Sequence, residues 1–352
     1  MNTPKLFPGT FSKLLLHWYE THGRSLPWVG EQDPYRIWLS EVLLQQTRVE
    51  QGMPYYLDFI RSYPTVFDLA AAPESEVLKK WEGLGYYNRA RNMLATARLI
   101  SEKGGTFPDT PDELRKLKGI GPYTANAIAS FAFGYPAAVV DGNVYRILSR
   151  VFGVAESPDL PEGKKRFATL ADDVLDRKRP AAFNQAMMDL GSLVCTPVKP
   201  DCDHCPLAGI CYARKQEMQT SFPVRKKRTQ RSERYYHYII VRKNGKWLIR
   251  QRTEQDFWKG LWEFPCLESD RLRTWNLICR QLGWNTTFLQ KPEVLGPFRQ
   301  QLTHRTVHAR VFVLQDLPEP FNLWPEAVWV DEEKLSDHAF PVLIRRIFSE
   351  IT

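Results

Sequence analysis

The amino-acid sequence predicts two domains, an all-α domain filling the first two-thirds of the chain and a smaller α+β domain behind it. Three observations carry this reading. Apolar residues recur at helical spacing in the first part, as at Phe11, Leu14, Leu15 and Trp18, and no comparable run of alternating strand residues precedes Tyr212. The composition then changes near residue 219: Ser221 to Arg234 holds Pro223, the consecutive cations Arg225, Lys226, Lys227 and Arg228, then Arg231 and Arg234. Alternation of period two follows. The expected division is 1–218 for the helical domain, 219–234 for a basic linker and 235–352 for the second domain.

A chain of 352 residues is long enough for two such cores, and 43% hydrophobic residues with 11 Trp, 14 Tyr and 19 Phe can fill them. No segment is apolar for long enough to span a bilayer. Met1 to Gly9 lacks the apolar stretch of a signal peptide, so a cytoplasmic protein is expected. The net charge of +8 favours a polyanionic partner. The linker reads first as a solvated connector. If it crosses a phosphate backbone, its cations also gain by releasing counterions.

Within the helical part, Asp33-Pro34 marks a helix start, and the run Ile37-Trp38-Leu39-Ser40-Glu41-Val42-Leu43-Leu44 follows it. A lone Glu on a helix is ordinarily solvated. Here apolar residues surround Glu41 on several faces, as in a buried helix, and a buried carboxyl favours its neutral, proton-donating form. Thr110-Pro111-Asp112-Glu113 is a capping box with proline at the first helical position. It leads into Leu117-Lys118-Gly119-Ile120-Gly121-Pro122-Tyr123-Thr124, where Gly119 and Gly121 permit a tight turn and a close backbone approach to an anion. Asp141, in Val140-Asp141-Gly142-Asn143-Val144, reads first as the N-cap of the helix through Ile147, Leu148 and Val151. A cap can also do chemistry, because the helix dipole favours an ionised carboxylate.

Four of the six cysteines, Cys195, Cys202, Cys205 and Cys211, lie within 17 residues. Their C-x6-C-x2-C-x5-C spacing suits a metal centre, either an iron–sulfur cluster or tetrahedral zinc. Only one pair is tight, which favours iron–sulfur. In the second part, Tyr236 to Val241 and Trp247 to Arg250 read as strands joined at Asn244-Gly245. A helix is expected over Leu272, Trp275, Cys279 and Leu282, and strands over Val307 to Val313 and Ala327 to Val330.

Together these motifs resemble a known family. The cysteine spacing behind an all-α domain resembles the cluster loop of the endonuclease III and MutY branch of DNA glycosylases, and the Gly119–Gly121 turn resembles their helix-hairpin-helix. Trp38-Leu39-Ser40-Glu41-Val42-Leu43-Leu44-Gln45-Gln46-Thr47 and Val140-Asp141-Gly142-Asn143-Val144 resemble the adenine-specific, MutY-type members. The resemblance implies a structural [4Fe–4S] cluster on Cys195, Cys202, Cys205 and Cys211, with Lys199, Arg214 and Lys215 near DNA phosphates. It implies that Glu41 protonates adenine and that Asp141 stabilises a cationic sugar, with Asn143 and Tyr123 assisting. Bifunctional relatives carry a lysine where this chain has Tyr123, so a monofunctional enzyme is expected. Gln46 and Tyr86 are expected to wedge into the base stack, Thr47 and Leu84 to lie near the opposite base, and Arg24, Leu26 and Trp28 to form the adenine pocket.

The second domain resembles a Nudix-type fold without the R-E-x-x-E-E metal-binding run, so nucleotide hydrolysis is not expected of it. In MutY proteins this domain senses oxidised guanine through a Phe-Ser-His loop, which here reads Leu302-Thr303-His304. Thr303 keeps the hydroxyl and His304 the imidazole, while Leu302 replaces an aromatic ring. The partner implied is double-stranded DNA with adenine opposite 8-oxoguanine or guanine, bound by a monomer in the cytoplasm at the nucleoid.

Overall fold

The computed structural model describes residues 8–226, 231–253, 257–284, 291–315 and 324–351. Lys227 and Arg228 of the linker lie outside the described residues. The chain forms two compact units, one of Met1–Ala71 with Ala95–Lys227, the other of Ala72–Leu94 with Arg228–Thr352. This division differs from the one expected, because residues 72–94 group with the C-terminal part. No helix among the described residues is long and apolar enough to cross a membrane.

The first unit is helical. Its first elements are α1 (Pro8–His22), α2 (Pro34–Leu44), α3 (Val49–Ser62) and α4 (Val66–Ala71). Helix α5 (Glu74–Lys80) belongs to the second unit, and α6 (Asn88–Glu102) begins there. Then come α7 (Pro111–Leu114), α8 (Pro122–Phe133), α9 (Gly142–Phe152), α10 (Pro161–Val174), α11 (Pro180–Leu193) and α12 (Tyr212–Lys215). Asp33 caps α2 by accepting from the Tyr35 amide at 2.9 Å. Thr110 caps α7 at 3.5 Å, but Glu113 binds Lys116 and completes no reciprocal box. Phe11, Leu15 and Trp18 of α1 enter a core with Ile147, Leu148, Phe167, Phe183 and Leu190. Leu14 departs from the expected stripe and is 38% exposed; Leu16 takes the buried place.

The second unit is built on a mixed sheet. Its strands are β1 (Ser232–Lys243), β2 (Lys246–Gln251), β3 (Trp262–Glu263), β4 (Cys266–Ser269), β5 (Glu293–Gln301), β6 (Arg305–Leu314) and β7 (Ala327–Asp331). The path runs β3-β2-β1-β6-β5, with β4 on β1 and β7 on β2. Asn244 and Gly245 both take left-handed φ angles, 53° and 71°, as the primed hairpin turn between β1 and β2 requires. Helix α13 (Trp275–Leu282) starts after Leu272, so the expected helix is one turn shorter at its start. Helix α14 (Val342–Phe348) buries Leu343, Ile344 and Ile347. Strands β1 and β6 lie parallel, Ser232 opposite Arg305 through Val241 opposite Leu314, so β6 is enclosed between β1 and β5. The β5–β6 hairpin therefore presents its tip, Leu302 to His304, from a strand fixed on both sides. Leu302 N donates to Arg305 O at 2.8 Å, and Ser232 N holds His304 O at 3.1 Å.

Residues 72–94 meet the C-terminal segment around the Glu82 carboxylate, with Lys79 Nζ also donating to His338 O at 3.1 Å. Glu82 accepts from Arg345 Nε at 2.5 Å, Arg345 Nη2 at 3.0 Å, Lys79 Nζ at 2.7 Å and the Phe340 amide at 3.2 Å. Burial pushes its pKa up, but Arg345 and Lys79 outweigh burial and hold it below the ordinary value. Glu82→Gln should therefore lower stability by about 2 kcal/mol, because a half-buried guanidinium loses its counter-charge. The loss should fade on acidification, since a carboxylate with a depressed folded pKa gives up its contribution as pH falls through that pKa. Urea unfolding of the two proteins at neutral and acidic pH measures both effects; equal midpoints at neutral pH would show that the pair contributes nothing.

Candidate active site

Every residue from Ile37 to Leu43 on α2 is buried, Glu41 included at 8% exposed. Its carboxyl lies at the wall of a cavity of about 270 Å³ that is also lined by Tyr19, Trp28, Ile37, Phe131 and Gln185. Burial raises the Glu41 pKa to about 7, and the charge of Asp141 pushes the same way. A hydrogen bond with Tyr123 opposes both. Tyr123 stands one residue into α8 and is itself pushed far above its ordinary pKa by burial and by the two carboxylates. Its hydroxyl donates to Met188 Sδ, a weak acceptor, at 3.7 Å.

Asp141 caps α9, accepting from the Val144 amide at 2.8 Å and from Asn143 Nδ2 at 2.7 Å. The helix dipole alone would keep this carboxyl low. Burial wins instead and raises its pKa, against the hydrogen bonds of Val144 and Asn143 and the charge of Arg146. The expected ionised form is thus opposed by desolvation and favoured by the cap. Asn143 is fixed in turn by Arg146 Nη2 at 2.7 Å. Gly191 makes room for it, since a Cβ there would stand 2.4 Å from Asn143 Cβ.

Arg146 also donates to Cys195 O at 2.6 Å and Gly191 O at 2.7 Å. Its neighbour Arg150 donates to Thr196 O at 2.7 Å and Pro197 O at 3.0 Å and lies 3.4 Å from Cys195 Sγ. Cys195, Cys202, Cys205 and Cys211 line one small cavity. Four cysteines around one cavity are a donor set of thiols, the ligand type that iron–sulfur clusters take. Burial pushes the Cys205 thiol up to about 12 and raises Cys211 as well, so these thiolates need a cation among them.

The remaining expected residues fall in several places. Trp28 joins the Glu41 cavity and packs edge-on against Tyr56, centroids 5.2 Å apart. Arg24 does not line it: its guanidinium pairs with the fully buried Asp189 at 2.8 Å, beside a neighbouring cavity. Leu26 lines neither. Gln185, absent from the sequence reading, links the two by donating to Asp189 at 2.9 Å while facing the Glu41 cavity. Its only sequence signal is a polar residue on the apolar face of α11. Gln46 is exposed with φ 58°, and Thr47 closes the turn after α2. Gly119 takes φ 80° in the turn between α7 and α8, and Gly121 caps α8 with open space where a Cβ would stand.

In the second unit, Leu84, Tyr86, Thr303 and His304 come together in a groove of about 560 Å³, with Arg231, Phe257, Leu302 and Arg305. Tyr86 is 46% exposed, has φ 49°, and its hydroxyl bonds to Thr303. Phe257 and Arg305 were not legible as members of this groove.

Residues 39–171 match the HhH-GPD superfamily of base excision DNA repair proteins, 195–211 the iron–sulfur binding domain of endonuclease III, and 236–350 the NUDIX domain. The cofactor is accordingly a [4Fe–4S] cluster, and the four cysteines are the residues that fit it. Among solved structures, the chain is similar to a thermostable thymine-DNA glycosylase at 30% identity, with a TM-score of 0.55 over 59% of this chain and 97% of that one. It is also similar to an endonuclease III in complex with DNA, at 26% identity and a TM-score of 0.51 over 61% of this chain and 99% of the other. An adenine DNA glycosylase of Buchnera aphidicola (subsp. Schizaphis graminum) is 31% identical across 96% of this chain and 97% of its own length. With all three segments in order and a relative aligned end to end, the chain belongs to the adenine DNA glycosylases, the MutY-type branch of the helix-hairpin-helix superfamily.

Proposed function

We propose that this protein excises adenine opposite 8-oxoguanine or guanine in double-stranded DNA and leaves an abasic site without cutting the strand. The observation that carries the reading is Glu41, a carboxyl with a pKa of about 7 facing a cavity fit for a flat base. A base in a duplex is out of reach, so glycosylases rotate their target into a pocket. Glu41 then donates its proton to the adenine ring, which departs as a neutral base. Asp141, held by Val144 and Asn143, offers its carboxylate to the cationic sugar, and that positive charge favours the ionised form that burial opposes. Water completes the hydrolysis. Tyr123 sets the proton affinity of Glu41 through their hydrogen bond. The two left-handed, exposed residues Gln46 and Tyr86 suit insertion into the stack, and Gly119 and Gly121 suit a phosphate contact.

If Glu41 is the proton donor, Glu41→Gln should slow single-turnover excision by about 10²–10⁴-fold while duplex affinity is retained. The wild-type rate should fall as pH rises through about 7, because only the protonated acid donates. Tyr123→Phe removes the one bond that lowers the Glu41 pKa, so this alkaline limb should move to higher pH. A limb that stays in place would remove Tyr123 from the role.

Tyr123 has no amine, so cleavage through a Schiff base is not open to it. Product strands should break only after alkali or heat. Efficient borohydride trapping of a protein–DNA adduct would show that a lysine elsewhere performs that chemistry.

The preference for the oxidised base is assigned to Thr303 and His304, the polar side chains at the tip of the β5–β6 hairpin. A hydrogen bond to a strongly polar edge is worth about 1–3 kcal/mol. Thr303→Val with His304→Ala should reduce the preference for 8-oxoguanine over guanine by about ten- to a hundredfold. Single-turnover excision opposite 8-oxoguanine, guanine, thymine and cytosine measures it; a preference unchanged in the double variant would end the assignment.

A further inference from the structure

The groove around Thr303 and His304 contains a cation with no evident work in the fold. Arg305 is the first residue of β6 and follows the hairpin tip directly. Its backbone closes the turn, and its side chain lines the groove. The guanidinium carbon sits 4.8 Å from the centroid of the Phe257 ring. Among the described residues that ring is its one partner, with neither a carboxylate nor a carbonyl on its donors. Other arginines nearby are committed to the protein. Arg231 donates to Thr303 O at 3.4 Å, and Arg89 donates to Leu84 O and Gly85 O while stacking on Trp81 and Tyr86. A surface arginine ordinarily waves in solvent and loses much freedom when it binds. One laid on an aromatic ring has lost part of that freedom already, and a planar fork fixed in this way suits recognition of a polar edge.

We infer that Arg305, oriented by Phe257, is a specificity-determining residue that donates hydrogen bonds to the carbonyl edge of the base opposite the excised adenine. The inference rests on the reading of the Thr303–His304 groove as the lesion-facing site. A guanidinium is a donor only and has no acceptor to offer. Oxidation of guanine at C8 adds a carbonyl oxygen that guanine lacks, so a donor-only group here rewards the oxidised base. The Thr303 hydroxyl and His304 imidazole can each donate or accept, and so can meet the N7–H that oxidation creates beside that carbonyl. Phe257 also accounts for aromatic surface in a groove whose hairpin tip carries Leu302. The alternative source of acceptors is a backbone phosphate, which would position the protein without reading the base.

The test compares wild type, Arg305→Met, Arg305→Lys, Phe257→Leu and the Thr303→Val/His304→Ala pair on full-length protein. Single-turnover excision and duplex affinity are measured with adenine opposite 8-oxoguanine and opposite guanine, across a range of salt. Arg305→Met is expected to lower the 8-oxoguanine preference by about tenfold without altering the slope of affinity against salt. Arg305→Lys keeps the charge but loses the planar fork, and should lower the preference as well. Phe257→Leu should give a smaller loss in the same direction. Equal weakening on both duplexes with a shallower salt slope, or full preference in Arg305→Lys, would make Arg305 a phosphate contact and overturn the inference. If the Thr303/His304 pair changes the preference and the Arg305 variants do not, the inference fails while the groove assignment stands. If none of the variants changes it, both fail.

Discussion

A carboxyl group carried on a helix that has no solvated face is the constraint around which the first unit is arranged. Moving an ionised carboxylate into such a place costs far more than moving its neutral acid, so Glu41 keeps its proton to about pH 7. That result needs all of α2 covered, which α8 and the segment around Trp28 help to do. Tyr123 is the polar neighbour that pulls the Glu41 pKa down against burial. Asp141 obeys the same physics, and burial raises its pKa too. It is partly buried, and an amide, an asparagine and an arginine resist the effect of burial.

The iron–sulfur loop belongs to the same construction. Arg146 and Arg150 project from α9, the helix that Asp141 caps, and their donors go to carbonyls at Cys195, Thr196 and Pro197. One of those arginines also fixes Asn143, which binds Asp141. The cysteine loop thus stands at one end of a hydrogen-bonded chain that runs through Arg146 and Asn143 to Asp141. Buried arginines are costly unless their donors are met, and here backbone carbonyls of the loop meet Arg146 Nε and both terminal nitrogens of Arg150, while Arg150 Nε has no partner among the described residues.

Strain marks the surfaces expected to meet DNA. Four non-glycine residues among those described take left-handed φ angles, and Gln46 and Tyr86 are two of them. Such a conformation costs about 1–3 kcal/mol and persists only where neighbours impose it. Around Tyr86 they are visible: Trp81 Nε1 holds Gly85 O at 2.9 Å, Arg89 lies between Trp81 and Tyr86, and Thr303 binds the phenol. The tip of the β5–β6 hairpin is equally constrained, by a parallel strand on one side and an antiparallel one on the other.

Local rules in the sequence determined much of this protein. Asp33, Asp141 and Asn244-Gly245 act through the few residues next to them, so capping and turn chemistry place α2, α9 and the β1–β2 hairpin without reference to the rest of the chain. The cysteine spacing and the apolar run around Glu41 are likewise local signals, and they carry the cofactor and the family. Strand β5 was not legible, because Glu293, Gly296 and Pro297 give it no alternation, and only its pairing with β6 makes it a strand. Leu14 could not be told from Leu16 until α1 met its neighbours. The direction of the Asp141 shift, the turn of Arg24 toward Asp189, the grouping of residues 72–94 with the C-terminal segment, and the stack of Arg305 on Phe257 were decided by tertiary structure alone. Each depends on groups far apart in the chain, where desolvation and long-range pairing outweigh anything a neighbour in sequence can impose.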